Sequence, residues 1–542
     1  MKRILLSFML AFLLVEAHAQ DYQWCVGLIN SSPECSSPNQ KAYLWIPERC
    51  VHLDAVIFSQ KNMSEELLLR NKNFRQQLAE LNFGIVWVAP AFDHSWLQEK
   101  GSGRIFESMM HDLASVSGYS ELDSIPVIPL GHSAMATFPW NFAAFNPNRT
   151  LAIISYKGDA PRTNLCGYGG DNVEWGRTRN IDGIPSLMIE GEWEWMEGRV
   201  NPALAFRMKY PRSCVSFLCD VGHGHFDVSD EVVSYLCLFL RKTAAYCLDH
   251  GRIVRMNPEK GWLAARWNAT EKHRPKPASY RDYRGDPHDA FWYFDKEMAM
   301  ATEQYYAQSL GKQTQFVGYR LNSKLTGYNR KLHAGTIIHP MFQTDGVTFS
   351  LSALYTDSTR TKPTLSHGKY PIKIRVISGP VEQINDTTFK FARYRAVSNR
   401  KDVEELWFQA IGPADKKYKA AAQQLEAVVP RTNTEGLRQS ISFASIQDVD
   451  SSVRSIPLSA VSDSGLPVGY YVDYGPAYVE GNKLIINKIP PRSKFPVKIR
   501  VVAYQYGVKG KYQSAPDVTR EFQIIETQVK KKEPHSAPNK KP

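Results

Sequence analysis

Between Tyr43 and Cys247 short apolar runs alternate with longer amphipathic stretches, the pattern of a mainly parallel sheet with helices on both faces. Strands are predicted over Tyr43 to Ile46, Ala55 to Ser59, Gly84 to Pro90, Ile125 to Leu130, Leu151 to Tyr156, Pro185 to Glu190 and Cys214 to Cys219. Apolar residues at helical spacing predict helices over Ser64 to Leu81, Ile105 to Val116, Ala134 to Phe145 and Asp230 to Ala245. After Cys247 the texture changes. Residues 251 to 345 hold the basic, proline-containing Lys272-His-Arg-Pro-Lys-Pro277, the aromatic Phe291-Trp-Tyr-Phe294 and a helical pattern from Asp295 to Glu303, and read as a connecting segment packed back on the first domain. From about Gly346 to residue 528, period-two alternation punctuated by Pro and Gly takes over, as in Val347 to Ala353, Ile372 to Ile377, Phe389 to Tyr394 and Pro496 to Tyr504. The polar stretch Val428 to Gly436 divides this region, which fits one large or two small β-sandwiches.

Composition adds compartment and domain count. A chain of 542 residues exceeds one ordinary core, so two or three domains are expected. Residues 1 to 19 open with Lys2 and Arg3, run apolar from Ile4 to Val15 and end Ala17-His-Ala19, the form of a secretory signal peptide, so an exported protein starting near Gln20 is expected. No later run of about twenty apolar residues offers an integral membrane segment. All eight cysteines fall before residue 250, which marks residues 20 to 250 as one unit and, in an exported chain, predicts disulfides. Part of the net charge of +12 lies in the leader and in the basic tail 529 to 542, which lacks apolar residues and is expected to be disordered. The sequence carries no phosphate-cradling loop, dinucleotide fingerprint or nucleic-acid motif, and His223-Gly-His225 lacks a third ligand at metal spacing, so neither cofactor nor metal nor nucleic acid is expected. Asn-x-Ser/Thr sites at Asn30, Asn62, Asn148, Asn268 and Asn385 do not identify the host.

The chemistry concentrates at the ends of three predicted strands. The run Ile125 to Leu130 stops at Gly131-His-Ser133-Ala-Met135, which reads as strand, sharp turn and helix with the serine hydroxyl raised at the turn. A serine needs a base, and the base an orienting carboxylate. The strand Cys214 to Cys219 leads into Asp220-Val-Gly-His-Gly-His-Phe-Asp227 and then a long helix, so His223 and His225 compete as base, with His225 favoured. The strand before it leads into Glu190-Gly-Glu-Trp-Glu194, where Glu194 is the first choice of acid, followed by Glu192 and Glu190, with Asp159 a distant fourth. An oxyanion donor comes naturally from the N–H of Ala134, and a second is expected after the strand Gly84 to Pro90, at Ala91 or Phe92. Trp140, Trp193 and Trp195 are candidates for apolar or sugar-stacking walls.

Gly131-His-Ser133 resembles the nucleophile elbow of the α/β-hydrolase fold, G-x-S-x-G, with Met135 in place of the last glycine, and the order serine, acid, histidine is that family's order. The resemblance covers about residues 40 to 250. It implies an α/β-hydrolase-like sheet with flanking helices, followed by the β-sandwich-like region, and a serine hydrolase of the esterase or lipase kind. Ser133 is then the nucleophile, His225 the base and Glu194 its orienting acid. The expected substrate is a carboxylic ester, and the appended β-rich region points to an acylated polysaccharide. A prolyl-type serine peptidase and a non-catalytic binding protein on the same fold are the alternatives.

Overall fold

The computed structural model describes residues 22–28, 40–161, 173–194, 197–271, 273–332, 334–395, 400 and 402–527; the leader, the basic tail, Cys35, Cys166 and Trp195 lie outside them. The first part is built on an eight-stranded sheet: β1 (Trp24–Gly27), β2 (Lys41–Trp45), β3 (Ala55–Gln60), β4 (Phe83–Ala89), β5 (Val127–His132), β6 (Ile153–Tyr156), β7 (Pro185–Gly191) and β8 (Cys214–Asp220). Their spatial order is β1-β2-β4-β3-β5-β6-β7-β8. β2 runs antiparallel to β1 and to β4, and every pairing from β4 through β8 is parallel. This is an α/β-hydrolase-like sheet. Its strands read as continuous apolar runs because both faces are covered, and alternate residues serve opposite cores. In β4, Ile85 and Trp87 join one buried layer while Val86 and Val88 join the other.

The predicted helices form, with instructive changes. The stretch Ser64 to Leu81 is two helices, α1 (Ser64–Arg70) and α2 (Lys72–Glu80), because Asn71 leaves the helical region and its side chain accepts the N–H groups of Asn73 and Phe74 as an N-cap. α3 (Ser102–Ser117) lies between Gly101 and Gly118, both left-handed. α4 (Phe138–Phe145) starts later than Ala134, since Ser133–Met135 form a 3-10 turn and Pro139 sits in the first helical turn. An unanticipated helix, α5 (Glu197–Lys209), with Pro202 inside it, links β7 to β8. α6 (Asp230–Cys247) is N-capped by Ser229. Among the described residues no helix is long and apolar enough to cross a membrane.

The connecting segment packs on this part through Phe291 to Phe294 and α7 (Lys296–Ala307), whose buried side chains share the core of β7 and β8. Tyr293 donates its hydroxyl to the carbonyl of Phe217 at 2.7 Å and Ser216 to that of Trp292 at 2.6 Å. The β-rich part begins before Gly346, because the strand Phe316–Leu321 pairs antiparallel with Ser352–Thr356. It has two cores, one around Phe349, Phe389 and Phe408 and one around Phe443, Ile499 and Phe522, and is therefore two modules.

The disulfide expectation is corrected for the six described cysteines: Cys25, Cys50, Cys214, Cys219, Cys237 and Cys247 are free thiols. All but Cys25 are buried and fill core space as small apolar side chains. Burial pushes the Cys50 thiol up to about 11 and that of Cys247 to about 12, which keeps them unreactive.

Candidate active site

β5 carries the buried backbone up to His132, and the next residue, Ser133, takes a φ of 55°. A side chain with positive φ is strained, and such strain at an exposed turn is the signature of a nucleophile elbow. Gly131 is required here: a Cβ on it would lie 1.9 Å from the carbonyl oxygen of Met135. A Cβ on Gly158 would meet that of Ala136 at the same distance, so the close approach of turn and neighbouring strand is preserved one residue beyond the family's last glycine. Met135 itself fits because its side chain turns into the buried layer of Phe58, Phe138 and Phe142.

Ser133 Oγ stands 2.6 Å from Nε2 of His225. The other ring nitrogen, Nδ1, is hydrogen-bonded to Oε2 of Glu194. With Nδ1–H donated to the carboxylate, Nε2 is left to accept the serine proton. Glu194 is fixed from three sides, since its Oε1 accepts the N–H of Gly191 at 3.0 Å and its Oε2 accepts Arg199 Nη1 at 3.0 Å as well as the imidazole. Burial opposes its charge, but His225, Lys157 and the Gly191 amide outweigh burial and hold it down to about 2. Ser133, His225 and Glu194 are thus brought together at the ends of β5, β8 and β7.

The remaining candidates take other places. His223 is buried, pairs through Nδ1 with Asp227 and does not meet Ser133. Burial lowers its proton affinity, yet Asp220 and Asp227 raise it to about 9. Asp220, His223 and Asp227 bring ligand atoms within 4.8 Å of one another, and the Lys157 ammonium, 2.7 Å from Asp220 and 3.9 Å from Asp227, adds its positive charge to that of His223. Glu192 is bound to Lys419 at 2.7 and 2.8 Å and accepts the N–H of Gly222. Glu190 is buried against Arg199 at 3.1 Å, and burial and the charge of Glu194 push its carboxyl well up. Asp159 lies 3.7 Å from Nε of the same arginine.

Ala134 is exposed at the mouth of the elbow. Phe92 is not brought to the site: its N–H is donated to Gln60 Oε1 at 2.9 Å and its ring packs against Phe58 and Trp96. The reason is the strand order. β3, not β4, lies beside β5, so the turn after β3 meets the elbow, and Asn62 Nδ2 donates to the carbonyl of His132 at 2.8 Å. The N–H groups of Asn62 and Met63 are accepted by the two oxygens of Glu65. Trp140 is fully buried and donates to the carbonyl of Asp159, whereas Trp193 is 42% exposed beside Glu194.

Two residues of the site carried no signal in the sequence. His132 is fully buried, burial drives its proton affinity down to about 3, and as a neutral ring it accepts from Asn62 at Nδ1 and donates from Nε2 to the carbonyl of His225 at 3.0 Å. Arg199 stands on α5, the helix that the pattern did not predict.

No protein-family model matches the chain, and no curated protein does. Among solved structures the chain is similar to Est1E from Butyrivibrio proteoclasticus, at 18% identity over 41% of this chain and 99% of that one, with a TM-score of 0.27. It is similar to a soluble variant of monoglyceride lipase from Saccharomyces cerevisiae, at 10% identity over 43% and 97% of the two chains, with a TM-score of 0.30. An S-formylglutathione hydrolase from Agrobacterium tumefaciens gives 14% identity, 41% and 94% coverage and a TM-score of 0.29. At these scores the likenesses carry no argument. The α/β-hydrolase-like fold is read from the sheet order and the strained elbow of this chain.

Proposed function

We propose that this protein is an exported serine hydrolase that cleaves carboxylic esters through an acyl-enzyme. One observation carries the reading: Ser133 Oγ is 2.6 Å from the imidazole nitrogen of His225, whose other nitrogen faces the half-buried, ionised Glu194. As Oγ attacks the ester carbonyl, its proton passes to Nε2 of His225, and Glu194 stabilises the imidazolium without taking the proton. The tetrahedral oxyanion draws on the N–H of Ala134. His225 then returns the proton to the departing alcohol, and water, activated by the same histidine, releases the acid.

An acylated polysaccharide is the substrate class we favour, because Trp193 beside the acid loop is 42% exposed, and the part of its ring left open by Lys419 and Phe316 is a surface on which a sugar can pack. Labelling with a fluorophosphonate tests the reaction class, and Ser133→Ala should abolish labelling and lower ester turnover by at least about a thousandfold while the fold is retained. Folded wild-type protein that stays unlabelled would sink the proposal. A panel of acetyl, feruloyl and aminoacyl chromogenic substrates separates esterase from peptidase, and amidase activity without esterase activity would turn the assignment to a peptidase.

A further inference from the structure

The histidine loop has no secondary structure of its own and contains two glycines, Gly222 and Gly224, so its backbone is intrinsically free to wander. A general base must nevertheless be held to within a fraction of an ångström to serve both its serine and its acid. The first β-rich module supplies the restraint. Gln409, fully buried on the strand Val403–Gly412, clamps the backbone of Val228 from both sides, accepting its N–H at 2.8 Å and donating to its carbonyl at 2.9 Å. On the same face of that strand Trp407 packs 4.9 Å from the ring of Phe226, which stands edge-on to His225 at 4.4 Å.

The neighbouring strand, Ala421–Pro430, holds the other end of the loop. Ala422 donates its N–H to the carbonyl of Gly222 at 3.1 Å, and Gly222 lies so close that a Cβ on it would be 2.1 Å from the Ala420 carbonyl oxygen. Lys419 binds both oxygens of Glu192 on the acid loop, and Glu192 in turn accepts the N–H of Gly222. His225 therefore sits between two anchored stretches, 222–224 and 226–228, and the anchors come from these two strands and from Lys419 and Ala420 just before the second.

From this geometry we infer that the first β-rich module is a positioning element of the hydrolytic site, with Gln409 and Lys419 as positioning residues that fix the loop carrying His225. The inference rests on the hydrolase reading and gives the appended region a role in the chemical step.

The test is fluorophosphonate labelling resolved into kinact and KI, with p-nitrophenyl acetate turnover beside it, on wild type, Gln409→Leu, Lys419→Met and Lys419→Arg. Gln409→Leu should lower kinact by about tenfold to a hundredfold with KI within about twofold, since a misplaced base slows proton transfer and leaves probe binding alone. Lys419→Met should fall in the same direction and Lys419→Arg should recover most of the loss. If Gln409→Leu does not fold, the Lys419 pair decides. Folded variants with wild-type kinact, or a change confined to KI, overturn the inference while the hydrolase reading stands. Wild-type protein that is not labelled at all overturns both.

Discussion

His223 and His225 are one glycine apart and meet different partners. His225 faces Ser133 and Glu194, so His225→Ala should remove turnover while leaving most of the stability. His223 lies in the buried charge cluster, and its proton is held up to about 9 against an ordinary value of 6.5, by Asp220 and Asp227 working against burial. The folded protein thus keeps a proton that the unfolded chain releases above pH 6.5. The stabilisation is complete below that value and is lost as pH rises through about 9. Thermal melting of wild type and His223→Gln should show wild type losing its advantage between about pH 6 and about pH 9.5. Parallel curves would remove His223 from that role. The sequence favours His225 over His223 as the base, but it does not show the buried Asp227 that takes His223, because that partner is set by how the loop folds back on itself. Ser133 and Glu194 are legible as candidates because each follows an apolar strand in a fixed order. Arg199 carries no such mark: it reaches Glu194 only through the helix after the acid loop, whose short apolar pattern is interrupted by Pro202.

At the scale of elements, the short turn after β3 is the piece that patterning does not place. Apolar patterning locates β3 and β4 but is silent on which of them borders β5, so the second oxyanion donor expected after β4, at Ala91 or Phe92, has no support in the strand order, which puts β3 beside β5. The true neighbour, the turn Lys61 to Met63, is shaped by Glu65, a carboxyl buried within α1 that accepts the N–H groups of Asn62 and Met63. Burial raises its proton affinity to about 7 against the opposing pull of the Asn62 amide and Lys61. Between pH 4.5 and about 7 the folded protein holds this proton and the unfolded chain does not, so Glu65 makes stability fall as pH rises through that window. Glu65→Gln, which keeps an acceptor for one amide, should flatten the wild-type slope of melting temperature between about pH 4.5 and about pH 7. An unchanged slope would mean that the carboxyl is ionised throughout.

At the scale of the whole molecule, the two β-rich modules meet the catalytic part on different faces, and their consequences should differ. The first grips the loops of the site. The second leans on the far edge of the sheet, where Lys41 of β2 pairs with Asp473 at 2.7 Å, Arg492 reaches Glu121, and Lys494 donates its N–H to the Ser117 carbonyl at the end of α3. Gly118 closes α3 in a left-handed conformation, φ 85°, and a Cβ there would lie 2.9 Å from the carbonyl oxygen of Arg492. Gly118→Ala therefore strains the cap and wedges the second module outward at once, at a cost of about 1–3 kcal/mol. None of the residues involved touches Ser133, His225 or Glu194, so denaturant unfolding should report the loss of stability while the fluorophosphonate labelling rate of the folded protein stays at the wild-type value. A labelling rate that drops in step with stability would instead tie the second module to the site and make all three parts one catalytic unit. A wild-type rate makes the second module a brace for the sheet edge, and leaves the control of His225 to the module that carries Gln409.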